Sequence, residues 1–115
     1  EDGANILNRS TPLAFTVSGK IWVNNHAHVM EAYGSTQFLA ESLERIRYEK
    51  YNTGTAQPKL NAKICKNIPI VLPTHSEQQK IASFLSTIDK KIESVKTQLT
   101  QTQQFKKGLL QQIFI

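Results

Sequence analysis

From Thr74 to the end of the chain, apolar residues recur at alternating steps of four and three. Ile81, Leu85, Ile88, Ile92, Val95 and Leu99 follow that rule, Thr102 and Lys106 occupy the next two positions, and Leu109 and Ile113 resume it. A repeat averaging 3.5 residues keeps a narrow stripe on one side of an α-helix, which is the seam of a coiled coil. The start of that helix is written just ahead of it. Pro73 breaks the preceding segment, and Thr74 stands three residues before Glu77, the spacing of a capping box in which each side chain bonds the other's backbone amide. No proline follows, and the only later glycine is Gly108, so nothing before that point stops the helix. About 39 residues at ~1.5 Å each would span roughly 58 Å, about twice the width of a small domain. The helix is therefore expected to protrude. Phe84, Phe105, Leu110 and Phe114 widen the stripe at its ends, and a partner helix is expected to cover it.

What precedes the helix is small. The 115 residues make one domain at most, and residues 1–73 by themselves lie near the lower limit for an independent core. The chain opens on Glu-Asp-Gly without methionine, as a fragment would. Lys and Arg outnumber acids 14 to 9. The excess is spread along the chain, eight basic against six acidic residues through position 73 and six against three beyond it. Such a balance suits a polyanion without requiring one. Cys65 is the only cysteine, which excludes an internal disulfide and fits a reducing compartment. With no signal peptide and no apolar run of membrane-spanning length, the expected location is the cytoplasm, with no membrane partner.

Along the first 73 residues the pattern predicts strands and short helices. Residues 1–12 read as irregular or a short edge strand. Leu13 to Val17 and Ile21 to Met30 alternate in polarity around Ser18-Gly19-Lys20, the pattern of a β-hairpin. Ser35 is a candidate N-cap for a helix running to about Tyr48, with Phe38, Leu39, Leu43 and Ile46 inward and Glu41, Glu44, Arg45 and Glu49 outward. Gly54 and Pro58 mark a loop from Tyr51 to Asn61, and Asn61 could cap one helical turn through Lys66. Ile68 to Leu72 reads as a short strand, held to an edge by Pro69. The expected fold is thus α+β: a small mixed β/α head, residues 1–73, followed by a long protruding coiled-coil α-helix, residues 74–115.

Few residues suggest bond-making chemistry. His26 and His28 are two apart on an expected strand, a spacing that suits two imidazole ligands, but a zinc site needs further ligands and none stands at a suggestive spacing. Hydrogen-bonded histidines are the more ordinary reading, and no metal or other cofactor is expected. No Ser/His/Asp, Cys/His or paired-carboxylate arrangement and no phosphate-cradling glycine motif is present, so no catalytic residue is named. The loop Thr53-Gly54-Thr55-Ala56-Gln57-Pro58-Lys59-Leu60 is richer. Gly54 permits positive φ or a close backbone approach, while Pro58 stiffens the loop and keeps Gln57 extended. Thr55, Gln57, Lys59 and Asn61 offer a hydroxyl, two amides and an ammonium. Gln and Asn can pair with adenine edges, and Lys and Thr can hold phosphates. The same residues would equally suit a plain surface turn.

Leu60-Asn61, Asn67-Ile68-Pro69-Ile70-Val71-Leu72-Pro73 and Glu77-Gln78-Gln79-Lys80-Ile81-Ala82, with Phe84-Leu85 and Ile88-Asp89, together resemble the specificity subunit of type I restriction-modification systems. The ending Phe105-Lys106-Lys107-Gly108-Leu109-Leu110-Gln111-Gln112-Ile113-Phe114 is similar to the close of that family's conserved helix, and GTAQPKL and WVNNHAHV to parts of its target-recognition domain. The resemblance implies a non-catalytic chain that reads double-stranded DNA. In that family two recognition domains, each followed by a long helix, read a split sequence, and the paired helices set the distance between halves. Methyltransferase (M) subunits dock on them and supply the chemistry, and restriction (R) subunits join to cleave. This chain has one helix and the later part of one recognition domain. By the resemblance Asn24, Asn25 and His26 and the loop Gly54 to Lys59 carry over as DNA-binding positions. From charge alone, Lys20, Lys59, Lys63 and Lys66 are expected to line a DNA-facing basic side, with Asn61 beside them. An alternative is a helical dimerisation or assembly module whose truncated head does not bind DNA by itself. A recognition segment of a fused restriction–methyltransferase enzyme would need catalytic motifs that the sequence lacks. In either of the first two readings the seam Ile81, Leu85, Ile88, Ile92, Val95, Leu99, Leu109 and Ile113 is expected to pair with a second copy in an antiparallel homodimer.

Overall fold

A computed structural model describes residues 3–114. It contains α1 (Asn5–Asn8), α2 (Thr36–Glu44), a 3₁₀ turn (Tyr48–Tyr51), α3 (Ala62–Lys66) and α4 (His75–Ile113). Every regular element among the described residues is helical, and none is a strand. The expected α+β fold is therefore corrected: residues 13–17, 21–30 and 68–72 form no ladder, and where residues 1–12 read in sequence as irregular or a short edge strand, the described part of that stretch carries the short helix Asn5–Asn8 while residues 1–2 lie outside the described residues. Alternating polarity makes a strand only where a sheet face is covered, and an isolated two-stranded pairing is marginal in water. Here neither face is covered. Phe15 and Val17 remain more than half exposed, Val29 is 69% exposed and Trp22 96%. These segments border an open apolar cleft of about 790 Å³, walled on its other side by Leu39, Leu43 and Tyr48.

The described chain divides into two compact units, one up to Gln79 and one from Lys80 onward. The first has a small core of Ile6, Leu13, Tyr48 and Leu60, against which Ile46, Tyr51, Ile64, Cys65 and Ile68 pack. Arg9 ends α1 with a left-handed backbone, φ 49°, and its guanidinium donates to the carbonyl oxygens of Glu44 and Ile46 and to the Glu44 carboxylate at 3.2 Å. The other carboxylate oxygen of Glu44 accepts the Leu13 and Ala14 amides at 2.7 and 3.0 Å. Glu44 thus faces the core segment rather than solvent, contrary to its expected outward position. It thereby ties the backbone at Leu13 and Ala14 to the end of α2. Tyr48 donates its hydroxyl to the Leu43 carbonyl at 2.8 Å. Burial, with Cys65 and Glu44 adding to it and Arg9 opposing, pushes the phenol up to about 12.

Three helix starts follow the side-chain chemistry of the sequence. Ser35 caps α2 by accepting from the Phe38 amide at 3.1 Å. Asn61 caps α3 through the Ile64 amide at 2.9 Å. Thr74 accepts from the Glu77 amide at 3.3 Å while Glu77 accepts from the Thr74 amide at 3.0 Å, closing the capping box of α4. The Thr74 hydroxyl also donates to the Glu77 carboxylate at 2.9 Å, and that bond first, then the one from the Thr74 amide, holds the Glu77 carboxyl below the usual range. α2 stops at Glu44, short of the expected Tyr48, and the chain turns into the 3₁₀ segment. α4 then runs 39 residues without a break, and Gly108 is accommodated inside it.

Candidate nucleic-acid interface

The loop from Thr53 to Lys59 is built from its stem outward. Asn52 Oδ1 accepts from the amides of Gly54 and Lys59 at 3.0 and 2.9 Å. The Thr53 amide and hydroxyl both donate to the Lys59 carbonyl, at 2.8 and 3.1 Å. Four hydrogen bonds therefore close the loop at its base. Gly54 sits at a close approach: a Cβ there would overlap the Gln57 carbonyl oxygen, so the tight turn admits no side chain. Thr55, Gln57 and Lys59 stand exposed on this braced frame, available for amide, hydroxyl and ammonium contacts.

A contact from His28 brings the Asn24–His28 segment to the same place. His28 Nε2 lies 2.8 Å from the Leu60 carbonyl oxygen, and because a carbonyl only accepts, that nitrogen carries the proton. This ties the segment next to Lys59 and Asn61. Within it Asn24 Oδ1 accepts from the His26 amide at 2.8 Å, an Asx turn that holds Asn25 and His26 at the surface. Lys20 is exposed beside Gly19, whose φ is 75°. Asn61 spends its side-chain oxygen on the α3 cap, while Lys63 and Lys66 are exposed on α3. Among the described residues no three His, Cys, Asp or Glu side chains gather as a metal site. No described helix is long and apolar enough to cross a membrane.

Sequence reasoning missed Asn52, which organises the loop without belonging to its polar tip. The available signal was an Asn two residues ahead of a glycine, the spacing of an Asx turn.

Most seam residues of α4 are exposed among the described residues. Ile81 and Ile88 are each 41% exposed, Ile92 47%, Val95 55%, Leu99 58%, Leu109 40% and Ile113 69%, while Leu85 is half-buried. The Thr102 hydroxyl on that seam donates to the Gln98 carbonyl of its own helix at 2.8 Å, so it brings no unsatisfied polar group to the stripe. Lys106 is then the seam's one charge. The Glu93–Lys96 pair at 3.4 Å is solvent-exposed and adds little to stability.

These features are the chemistry of a binding module: contact groups on a braced loop and a helix with an apolar stripe. Residues 6–104 match the family described as the type I restriction modification DNA specificity domain, and the chain belongs to that family. The specificity subunits of this family are non-catalytic, in agreement with the non-enzymatic reading of the sequence. The type I restriction enzyme MjaVIII specificity subunit of Methanocaldococcus jannaschii is 32% identical over 77 residues, which are 67% of this chain and 18% of that subunit. The match thus takes in less than a fifth of the relative's length. No solved structure matches the chain.

Proposed function

We propose that this chain is a DNA-sequence-recognition part of a type I restriction-modification enzyme, reading DNA through residues 1–73 and assembling through residues 74–115. The single observation that carries this reading is the family match across residues 6–104. The braced loop supports it chemically. Gln57 supplies an amide for a base edge, and Thr55 and Lys59 supply phosphate contacts. Lys20, Lys63 and Lys66 extend the basic surface, and Asn25 and His26 lie on the segment that His28 ties to Leu60. The chain itself makes and breaks no bond. Methyltransferase subunits would supply methyl transfer and restriction subunits cleavage, with this chain setting where on DNA they act, in the cytoplasm.

A second copy of the chain is the proposed partner of α4. The exposed seam from Ile81 to Ile113 favours it. A two-fold antiparallel pair lets each seam residue meet its counterpart's neighbour twice. The alternative, an assembly module whose head does not read DNA, predicts the same dimer without sequence-selective retention. Titrating duplex at several salt concentrations separates them. Each phosphate contact adds about 0.9 to the slope of log affinity against log salt, and weak binding by the chain should strengthen with the methyltransferase present. A flat salt dependence in the assembled complex would exclude the basic face.

A further inference from the structure

Asn52 is half-buried at the base of the Thr53–Lys59 loop, and the two ends of its side chain have different duties. The loop uses the oxygen. Oδ1 accepts from the amides of Gly54 and Lys59 at 3.0 and 2.9 Å, which occupies both of its lone pairs. Backbone N–H groups only donate, so the atom facing them is the oxygen and the nitrogen faces away. Nδ2 is left with two N–H donors and no partner among the described residues. It is not sealed in, because no buried side-chain nitrogen or oxygen among the described residues lacks a hydrogen bond. Solvent reaches it. The other donors of the stem are spent, since the Thr53 amide and hydroxyl both go to the Lys59 carbonyl. A donor already held still by two bonds at its far end loses little freedom when a ligand takes it.

We infer that Asn52 is itself a DNA contact: while Oδ1 shapes the loop, Nδ2 donates to a phosphate oxygen of the duplex. This deepens the DNA reading proposed above and rests on it. The ligand has to accept, and phosphate oxygens are the anionic acceptors that duplex DNA presents; Asn side chains are among the groups that bond them. The four bonds at the stem put Thr55 to Gln57 at the apex of the loop and Asn52 at its base. With the apex at a base edge, the base of the loop meets the backbone that borders the groove. Such a contact fixes register on the duplex without carrying sequence information.

Asn52→Asp separates the two ends. Its carboxylate keeps an acceptor for the Gly54 and Lys59 amides and puts a second oxygen where Nδ2 stood, so the loop stays closed while attraction to phosphate becomes repulsion. Amide hydrogen exchange on the full chain should find Gly54 and Lys59 protected in the parent and in Asn52→Asp, and unprotected in Asn52→Ala. The assembled enzyme is then titrated with the duplex it methylates and with copies carrying one uncharged methylphosphonate at each backbone position in turn. Asn52→Asp is expected to bind the unmodified duplex about tenfold more weakly or worse, the loss of a hydrogen bond to a charged group. One methylphosphonate position should weaken the parent and strengthen Asn52→Asp. Equal binding of parent and Asn52→Asp, or a loss that no single methylphosphonate relieves, would overturn the inference. So would unprotected Gly54 and Lys59 amides in Asn52→Asp, because a disordered loop would then account for the loss. A changed sequence preference in place of uniform weakening would move Nδ2 to a base edge and overturn the phosphate assignment. A parent enzyme with no preference for any duplex and no salt dependence would instead overturn the DNA reading itself.

Discussion

Replacing Ile92 and Leu99 together by lysine should abolish self-association. Both belong to the seam and are close to half exposed in the described chain, 47% and 58%. Fully burying such a side chain is worth about 1.5–3 kcal/mol, so covering the exposed half contributes about 1 kcal/mol. Two positions on each of two copies then amount to about 4 kcal/mol. At 1.4 kcal/mol per tenfold, that weakens a dimer roughly a thousandfold, before repulsion between the four new charges. Leu85 is a poorer choice because it is already half-buried, so its loss would mix folding with association. Sedimentation equilibrium on parent and variant, with circular dichroism to follow α4, reads the effect. The expected result is a parent dimer and a variant monomer whose helix is partly frayed. A parent that stays monomeric at tens of micromolar, a range set by typical dimer affinities, would refute the reasoning. So would a variant whose dimer weakens less than tenfold.

Three further outcomes test the rest of the account. Gln57→Ala should shift sequence preference, since a bidentate base contact carries about 1–3 kcal/mol of discrimination, whereas Lys59→Ala should weaken binding to all duplexes alike; methylation specificity of the reconstituted enzyme distinguishes them, and two unchanged variants would leave the loop without a reading role. Asn52→Ala removes two of the four bonds at the loop base and should lower unfolding free energy by about 1–3 kcal/mol, read from denaturant midpoints; an unaltered midpoint would show that the loop does not depend on that stem. The depressed Glu77 carboxyl contributes stability that is present above the unfolded value of about 4.3 and is lost as pH falls through the lower folded value. Acid titration followed by circular dichroism should therefore show less acid sensitivity in Glu77→Gln than in the parent.

The parts of the fold that were legible in sequence are those decided locally. Ser35, Asn61 and Thr74 with Glu77 each cap a helix through atoms within three residues of themselves, so spacing suffices to read them. The heptad steps from Ile81 to Leu99 likewise need no tertiary context to indicate a helix. The strands were misjudged because alternation states only what a segment could do given a neighbour. Leu13–Val17 and Ile21–Met30 face an open cleft, and Trp22, at 96% exposure, packs on nothing that would reward a pleated conformation. Contacts between residues far apart in sequence were illegible for a related reason. Glu44 bonding the Leu13 amide, His28 bonding Leu60 and Gln78 bonding Ser35 span 31, 32 and 43 positions, and no local pattern announces such partners. In the candidate interface the polar tip of the loop is legible in its residue types, whereas the stem shows in sequence only as Asn52 two residues ahead of Gly54, and its bond to Lys59, seven positions on, has no local signal.

The central claim is that this chain determines where DNA is modified. Its most direct test maps methylated bases across the genome of cells that carry the methyltransferase subunits, with this chain present and with it deleted. The account predicts one discrete methylated sequence that vanishes on deletion and returns when the chain is supplied again. An identical methylation map in the presence and absence of the chain would contradict it.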